Sequence, residues 1–159
     1  MGQIKQISLV ENVLLQFSRI FVGGLFIFSG LIKANDPIGF SIKLEDYFYV
    51  FAETIPFFAS NFVLSTKLFL AIFMCVLEVA LGVALLLGVY RKPVAWLLLL
   101  MIIFFTWLTG FSAITGKVTD CGCFGDAIPL TPTESFIKDL ILLVFILSLI
   151  HISEPTRHR

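Results

Sequence analysis

Residues Leu64–Val89 read LSTKLFLAIFMCVLEVALGVALLLGV, a run whose only charged side chains are Lys67 and Glu78. A helix that crosses the hydrocarbon core of a bilayer needs about 20 consecutive, mainly apolar residues, and this run is longer. Three further runs qualify by the same criterion: Val13–Lys33, Val94–Thr115 and Ser135–Ile152. The sequence therefore predicts four membrane-spanning helices and no soluble catalytic domain.

The composition of the whole chain agrees with this prediction. Of its 159 residues, 58% are hydrophobic, and the mean hydropathy is +1.01, whereas a soluble domain is about 45–50% apolar. The net charge is zero and the basic residues are scattered, so no nucleic-acid partner is expected. We predict an all-α protein in which residues 1–152 form one four-span domain. The polar tail Ser153–Arg159 is as consistent with translated adapter DNA as with a native terminus.

The distribution of charge predicts an orientation in the membrane. Cytoplasmic loops carry an excess of Lys and Arg, most strongly when they are short. The tight turn Arg91–Pro93 and both termini are therefore assigned to the cytoplasm. The loop that holds Cys121 then faces the periplasm of a bacterial inner membrane, where disulfides persist, and Lys33 and Asp139 count as outer-side charges. The first span carries Arg19 and lacks a small-residue cleavage site, so it is expected to be an uncleaved helix rather than a signal peptide.

An external amphipathic helix is predicted between the first and second spans. Asp36 is a favourable N-cap, and Pro37 is favourable at the first helical position. Apolar residues then recur at helical spacing, while the other face is polar and includes Ser41. The apolar face consists of Phe40, Leu44, Tyr47, Phe48 and Phe51. We expect this helix to pack as a lid on top of the bundle.

Small residues predict where the spans approach one another. The second span carries a small-xxx-small ridge, formed by Ala80, Ala84 and Gly88. Three glycines thin one side of the first span: Gly23, Gly24 and Gly30. Before the fourth span, Thr131–Glu134 reads as a capping box, which predicts a helix that begins at Pro132.

The loop between the third and fourth spans contains the block Asp120-Cys121-Gly122-Cys123-Phe124-Gly125-Asp126. Cysteines one residue apart can form a strained and therefore readily reduced disulfide. A redox pair, a structural disulfide and half of a metal site are the alternatives. The loop offers only two aspartates as further ligands, and both histidines lie at the other end of the fourth span. No metal site is therefore predicted.

Glu78 is the sharpest signal within the spans. An ionisable side chain near the middle of a bilayer is costly, and it marks a functional or a pairing position. Arg19, about two turns into the first span, is placed to reach toward it. The pair is either a structural ion pair or a site that handles protons or faces a quinone. Cys75 shares one helix face with Glu78 and Gly82, and we interpret it as a small hydrophobic residue.

The first span, SRIFVGGLFIFSGLIK at residues 18–33, resembles the opening helix of the DoxX family. The block DCGCFGD at residues 120–126, together with the fourth span, resembles the related MauE branch. The resemblance covers nearly the whole chain to Ile152 and implies a four-helix membrane bundle. MauE-like proteins are associated with the maturation of periplasmic disulfide-rich enzymes beside a thioredoxin-like partner. DoxX relatives are linked to quinone-coupled sulfur oxidation.

By position, the resemblance implies that Cys121 and Cys123 are the redox pair and that Arg19, Lys33 and Glu78 are polar family positions. The chain lacks the Cys-x-x-Cys motif and the second periplasmic dithiol of DsbB and vitamin K epoxide reductase. Electrons would therefore pass directly to a partner or to quinone, the one cofactor suggested.

The predicted function is disulfide exchange with a periplasmic thioredoxin-like partner, with a charge from Lys117 or Lys138 assisting. One alternative is a quinone-linked oxidoreductase subunit in which Glu78 and Arg19 line the quinone site. The other is a non-enzymatic assembly or scaffold protein. Whether the chain is itself an enzyme is left open by the sequence.

Overall fold

The computed structural model describes residues 2–53, 55–118 and 130–153, with side chains from residue 12 to residue 151 within those ranges. All the regular structure in these ranges is helical, which confirms the predicted all-α class. There are five α-helices and one short 3₁₀ helix at Pro56–Ala59. The α-helices are α1 (Gly2–Asn35), α2 (Pro37–Ala52), α3 (Asn61–Leu87), α4 (Arg91–Thr115) and α5 (Pro132–Ser153).

Within the described ranges, three helices are long and apolar enough to cross a bilayer. They are Asn12–Asn35 within α1, the whole of α3 and the whole of α4. This finding supports a multi-pass membrane protein. The predicted fourth span lies in α5, which has 22 residues and carries charged side chains near its start. A membrane-spanning α5 and an external α2 therefore stay predictions.

The four long helices pack side by side in a cyclic order. α1 lies between α3 and α5, and α4 lies between α5 and α3. Of these neighbouring pairs, α3 and α4 make the least contact, although a short turn joins them. All four helices contribute to one apolar core, with Val22 from α1, Leu81 from α3, Leu98 from α4 and Ile146 from α5.

Glycines bring α1 and α3 into close backbone contact. A Cβ atom placed on Gly82 would lie 2.8 Å from the carbonyl oxygen of Gly23, and one placed on Gly30 would lie 2.7 Å from the side chain of Val79. No side chain fits at such separations, so the two helices approach this closely because these residues are glycines. The predicted role of Gly23 and Gly30 is confirmed, whereas a Cβ on Gly24 would meet nothing within 4 Å.

The predicted ridge on the second span is wrong, because Ala80 is exposed and Gly88 ends the helix. Gly88 adopts φ +71°, a conformation that glycine tolerates and other residues rarely adopt. The helix therefore stops at Leu87, two residues before the predicted end of the span. The turn that follows runs from Gly88 to Tyr90, and Arg91–Pro93 forms the first turn of α4, where a proline is tolerated.

α2 begins as predicted, since the Asp36 carboxylate accepts a hydrogen bond from the backbone N–H of Gly39 at 2.9 Å. Its apolar face is buried through Phe40, Leu44 and Tyr47. Ser41, assigned to the polar face, is buried as well, and its hydroxyl donates to the carbonyl oxygen of Ile38 at 2.7 Å. The helix packs chiefly along α3 and on the 3₁₀ helix rather than as a lid over the whole bundle.

α5 begins at Pro132, and its capping box is confirmed. The backbone N–H of Thr131 donates to Oε2 of Glu134 at 2.9 Å, and the N–H of Glu134 donates to Oγ1 of Thr131 at 3.3 Å. The backbone N–H of Thr131, followed by its hydroxyl, holds the pKa of the exposed Glu134 carboxyl below its ordinary value. The start of the helix is therefore secured by side chains of its own first turn.

Candidate functional site: a buried charge cluster beside an aromatic cavity

Glu78 is buried inside the protein and forms an ion pair with Lys33 of α1. Oε1 of Glu78 accepts a hydrogen bond from Nζ of Lys33 at 2.5 Å, and both side chains are 2% exposed. Oε2 has no hydrogen-bond partner in the described part of the chain. Cys75 and Gly82 are buried on the same side of α3, as their spacing predicts. A costly intramembrane charge is thus neutralised between two helices.

The ion pair expected between Arg19 and Glu78 is absent. The guanidinium of Arg19 donates to the carbonyl oxygen of Leu85, at 3.1 and 3.2 Å, and to that of Leu86, at 3.0 Å. These carbonyls are at the C-terminal end of α3, where helix carbonyls lack partners and carry partial negative charge. Arg19 and Lys33 lie about 21 Å apart along the axis of α1. Arg19 therefore caps α3 and does not share a site with Glu78.

A second buried acid, Asp139 of α5, lies near this ion pair. It is 1% exposed, and its Oδ2 accepts a hydrogen bond from the hydroxyl of Thr109 in α4 at 3.0 Å. Its Oδ1 lies 2.9 Å from Nζ of Lys138 but receives no well-aligned hydrogen bond, so that contact is an ion pair only. Lys33 and Asp139 are therefore both buried between helices, and their assignment to the outer side of the membrane stays a prediction.

Lys33, Glu78, Lys138 and Asp139 form what we call the charge cluster. They line a cavity of about 20 Å³ together with side chains such as Ser29 and Phe105, so all four long helices meet there. A space of this volume is large enough for one water molecule, whose O–H group can donate a hydrogen bond to Oε2 of Glu78. Two ammonium groups and two carboxylates make the charge cluster neutral overall.

A much larger apolar cavity lies beside Phe105, between α2, the 3₁₀ helix, α3 and α4. Its volume is about 410 Å³, and nine of its fourteen lining side chains are aromatic. We call it the aromatic cavity. Nζ of Lys33 lies 4.5 Å from the ring centroid of Phe105 and 5.3 Å from that of Phe40, and both rings line this cavity. One layer of rings therefore separates the aromatic cavity from the charge cluster.

The chain that leads into the cysteine loop packs beside the aromatic cavity. Val118 is buried against Tyr47 and Leu108, two residues that line the cavity. The hydroxyl groups of Tyr47 and Ser112 are hydrogen-bonded at 2.8 Å. The neighbouring residue Lys117, proposed to assist a thiolate, forms an ion pair with Glu53 just after α2.

Cys121 and Cys123 lie outside the described residues, so their redox role stays a prediction. In the ranges that the structure describes, no group of three or more His, Cys, Asp or Glu side chains is arranged to hold a metal ion. Cys75 is a free thiol, buried among apolar neighbours that include Phe40 and Ala71. This environment is the one expected of a small hydrophobic residue.

Asp139 was missed as a candidate, although a signal for it exists. Lys138 and Asp139 fall inside the apolar run Ser135–Ile152, so the reasoning about charges within a span extends to them, although they lie nearer the end of the run than Glu78 does. The aromatic cavity has no comparable signal. Its existence depends on how α2 packs beside α3 and on the sparse contact between α3 and α4, and neither is visible in a sequence pattern.

Comparisons with known proteins agree with these features of a membrane protein. The chain is 27% identical over 153 residues to "Protein TlpB" of Flavobacterium psychrophilum. The matched segment covers 89% of this chain but only 37% of that protein. The chain thus corresponds to little more than a third of its relative's length. No solved structure matches the chain. The family model described as "Methylamine utilisation protein MauE" matches residues 11–152, so the chain belongs to the MauE family.

Proposed function

We propose that this chain is a redox protein of the bacterial inner membrane. Cys121 and Cys123 exchange disulfides with a periplasmic thioredoxin-fold partner and thereby support the maturation of exported proteins. Residues 1–152 form one four-span domain, with α5 as the fourth span, α2 at the outer boundary of the bilayer and both termini in the cytoplasm. Membership of the MauE family and the apolar helices support a role in the membrane.

The observation that carries this proposal is the attachment of the cysteine loop at both of its ends. Val118 is buried before the loop, and the capping box of Thr131 and Glu134 secures the helix after it. Three residues of extended chain span about 11 Å at most, and Cys121 follows Val118 by three residues. The covalent chain thus limits how far Cys121 can lie from Val118, which packs against Tyr47 and Leu108 of the aromatic cavity.

In the proposed exchange, a thiolate of the reduced partner attacks one sulfur of the Cys121–Cys123 disulfide. The S–S bond breaks, a mixed disulfide forms, and one cysteine leaves as a thiolate. The second partner thiolate then displaces the remaining cysteine. The partner is oxidised by two electrons, and Cys121 and Cys123 are reduced to thiols once they take up two protons. A two-electron acceptor must then reoxidise them.

A second candidate is a quinone-linked oxidoreductase component, and the charge cluster favours it. Quinone reduction consumes two electrons and two protons, and Glu78 and Asp139 are carboxylates buried where such protons could be handled. Arg19 is not part of this version, because it is bound to the end of α3. A scaffold protein whose disulfide only clamps the loop is the non-enzymatic alternative.

Trapping experiments test the redox role of the cysteines. In cells, Cys121→Ser or Cys123→Ser alone should accumulate a mixed disulfide with a thioredoxin-fold protein, and the double variant should trap nothing and lose activity. Cys75→Ala is the matched control and should behave as the parent, since Cys75 is buried among apolar side chains. A double cysteine variant that is fully active would contradict the dithiol role and leave the quinone-linked component and the scaffold protein as the candidates.

Topology is tested separately, by labelling engineered cysteines with an impermeant thiol reagent in intact cells that lack the native cysteines. A cysteine at Lys43 should be labelled, and one at Arg91 should not, because short basic loops stay in the cytoplasm. The reverse pattern would contradict the proposed orientation. It would also place Cys121 and Cys123 in a reducing compartment.

A further inference from the structure

We propose that the aromatic cavity binds a planar, uncharged ring compound dissolved in the bilayer, of the isoprenoid quinone class. The inference deepens the proposed function, because it gives the dithiol a two-electron acceptor and locates the site for it. The site differs from the one expected at Arg19 and Glu78. It is bounded by α2, the 3₁₀ helix, α3 and α4, and the rings of Phe40 and Phe105 separate it from the ammonium of Lys33 in the charge cluster.

The walls of the cavity favour a flat ring over an acyl chain. Aromatic rings pack on one another in offset or edge-to-face geometry, which adds to the gain from burial alone. Phe51 already makes such contacts, with ring centroids 5.1 Å from Trp107 and 5.3 Å from Phe111. The volume of about 410 Å³ lies in the range of sites for small ligands. An unbranched chain would fill this space without using the geometry of its nine rings.

The cavity has an exposed side and a buried side. Trp107 is 54% exposed and Ile55 is 51% exposed, whereas Phe40 and Tyr47 on the inner wall are 5% and 3% exposed. In a bilayer, the exposed side faces lipid, so a compound dissolved there can enter between α2 and α4 without crossing water. α2 and α4 make no close backbone contact in the described ranges, and only side chains bridge them.

Hydroxyl and ammonium groups lie at the buried end of the cavity. The hydroxyl of Tyr47 is buried there with that of Ser112, and the ammonium of Lys33 lies behind the rings of Phe40 and Phe105. A ring carrying carbonyl oxygens is matched to this end, because a carbonyl accepts hydrogen bonds and is attracted by a nearby cation. A hydrocarbon chain has no atom that could use either group. Val118, which leads toward the cysteines, packs against Tyr47 at the same end.

Tryptophan fluorescence provides a direct test with menadione as the probe. The chain has two tryptophans, of which Trp107 lines the cavity and Trp96 does not. The full chain is placed in phosphatidylcholine nanodiscs, with Cys75→Ala, Cys121→Ser and Cys123→Ser to exclude thiol chemistry. With Trp96→Phe, the fluorescence of Trp107 should be quenched saturably by menadione. With Trp107→Phe, the remaining fluorescence should show only the weak, linear quenching expected from partitioning.

Two variants that fill the cavity complete the test. Leu70→Phe with Met74→Phe adds two rings on the cavity side of α3 and should weaken binding at least about tenfold, because the rings occupy the space of the ligand. The matched control is Leu68→Phe with Ile72→Phe, on the exposed side of the same helix, and should bind as the parent. Thermal unfolding of each variant in the nanodisc, with and without menadione, reports whether it is folded and whether menadione stabilises it.

The outcomes separate this inference from the proposed function. Equal quenching in the filled and control variants, or equal displacement of menadione by decanol, would show that the cavity takes any apolar molecule and would overturn the inference. Binding is measured without the cysteines, so it is independent of the trapping experiment. Saturable binding with no mixed disulfide would contradict the dithiol role alone. A mixed disulfide with linear quenching would contradict the quinone site alone.

Discussion

Breaking the ion pair between Lys33 and Glu78 should be among the most damaging single changes in the chain. Glu78→Leu leaves the ammonium of Lys33 buried without its carboxylate. Two unit charges about 4 Å apart at an effective dielectric of about 20 attract by roughly 4 kcal/mol. Removing one partner of a buried pair costs about 3–5 kcal/mol in measured cases. We expect Glu78→Leu and Lys33→Met each to lower the free energy of unfolding by about that amount.

Removing both charges should restore most of the lost stability. Oε2 of Glu78 has no hydrogen-bond partner in the described residues, so the pair does not fully offset the cost of taking its charges out of water. Replacing a buried pair by apolar residues of similar volume is often neutral or stabilising. Lys33→Met with Glu78→Leu should therefore lie within about 1–2 kcal/mol of the parent. If the pair also handles protons for quinone reduction, this variant should fold and yet be inactive.

Reversible unfolding in mixed micelles, titrated with dodecyl sulfate and followed by circular dichroism, measures these differences. Arg19→Met with Glu78→Leu is the matched control, because Arg19 bonds to the carbonyls of Leu85 and Leu86 instead. In this control, the losses in the free energy of unfolding from the two single changes should be additive within about 0.5 kcal/mol, as for sites that share no partner. The assignment of Lys33 as the partner of Glu78 would be refuted if Arg19→Met restored the stability lost in Glu78→Leu and Lys33→Met did not.

Three further predictions concern the helices themselves. Arg19→Met should lower the free energy of unfolding by about 1–2 kcal/mol in the same assay, since a cation is lost from the end of α3, and Arg19→Lys should recover part of it. Gly82→Ala should destabilise the protein by more than about 1 kcal/mol, because its Cβ would lie 2.8 Å from a carbonyl oxygen of α1, whereas Gly24→Ala, with open space around it, should be neutral or slightly stabilising. The carboxyl of Glu134 should titrate below its ordinary pKa of 4.5 in carbon-13 NMR. Because its pKa is lowered in the folded state, its stabilising contribution is present at higher pH and is lost as the pH falls through that lowered value, and a midpoint above 4.5 would contradict the capping box.

The starts of α2 and α5 were predictable because their causes are local. Asp36 caps α2, and the pair Thr131 and Glu134 caps α5, through contacts between residues three positions apart. Length and apolarity likewise identify a spanning helix from one segment alone. The end of α3 differs by two residues because Gly88 adopts a left-handed conformation, which apolar composition does not reveal.

The partner of Glu78 was not predictable, because it depends on the register between two helices. Arg19 and Lys33 are both cations on α1, and the sequence alone does not say which one is level with Glu78. The structure sets this register through Gly23, Gly30 and Gly82, where the helices touch. The burial of Asp139 against Thr109 depends in the same way on how α5 lies on α4. Individual helices can thus be predicted from single segments of sequence, whereas the site depends on how pairs of helices pack together.

The pairing of Lys33 with Glu78 also has a consequence for the order in which the chain enters a membrane. The ribosome makes α1 first, and Glu78 follows Lys33 by 45 residues. Lys33 lies in the last turn of α1, where a lone lysine can extend its ammonium group toward the membrane interface. We therefore expect α1 to keep the ammonium group of Lys33 near water, or to stay beside the translocon, until α3 has been synthesised. Lys138 and Asp139 are adjacent in α5, so if α5 is the fourth span, as proposed, it carries its own counter-ion and can insert without waiting for a neighbour.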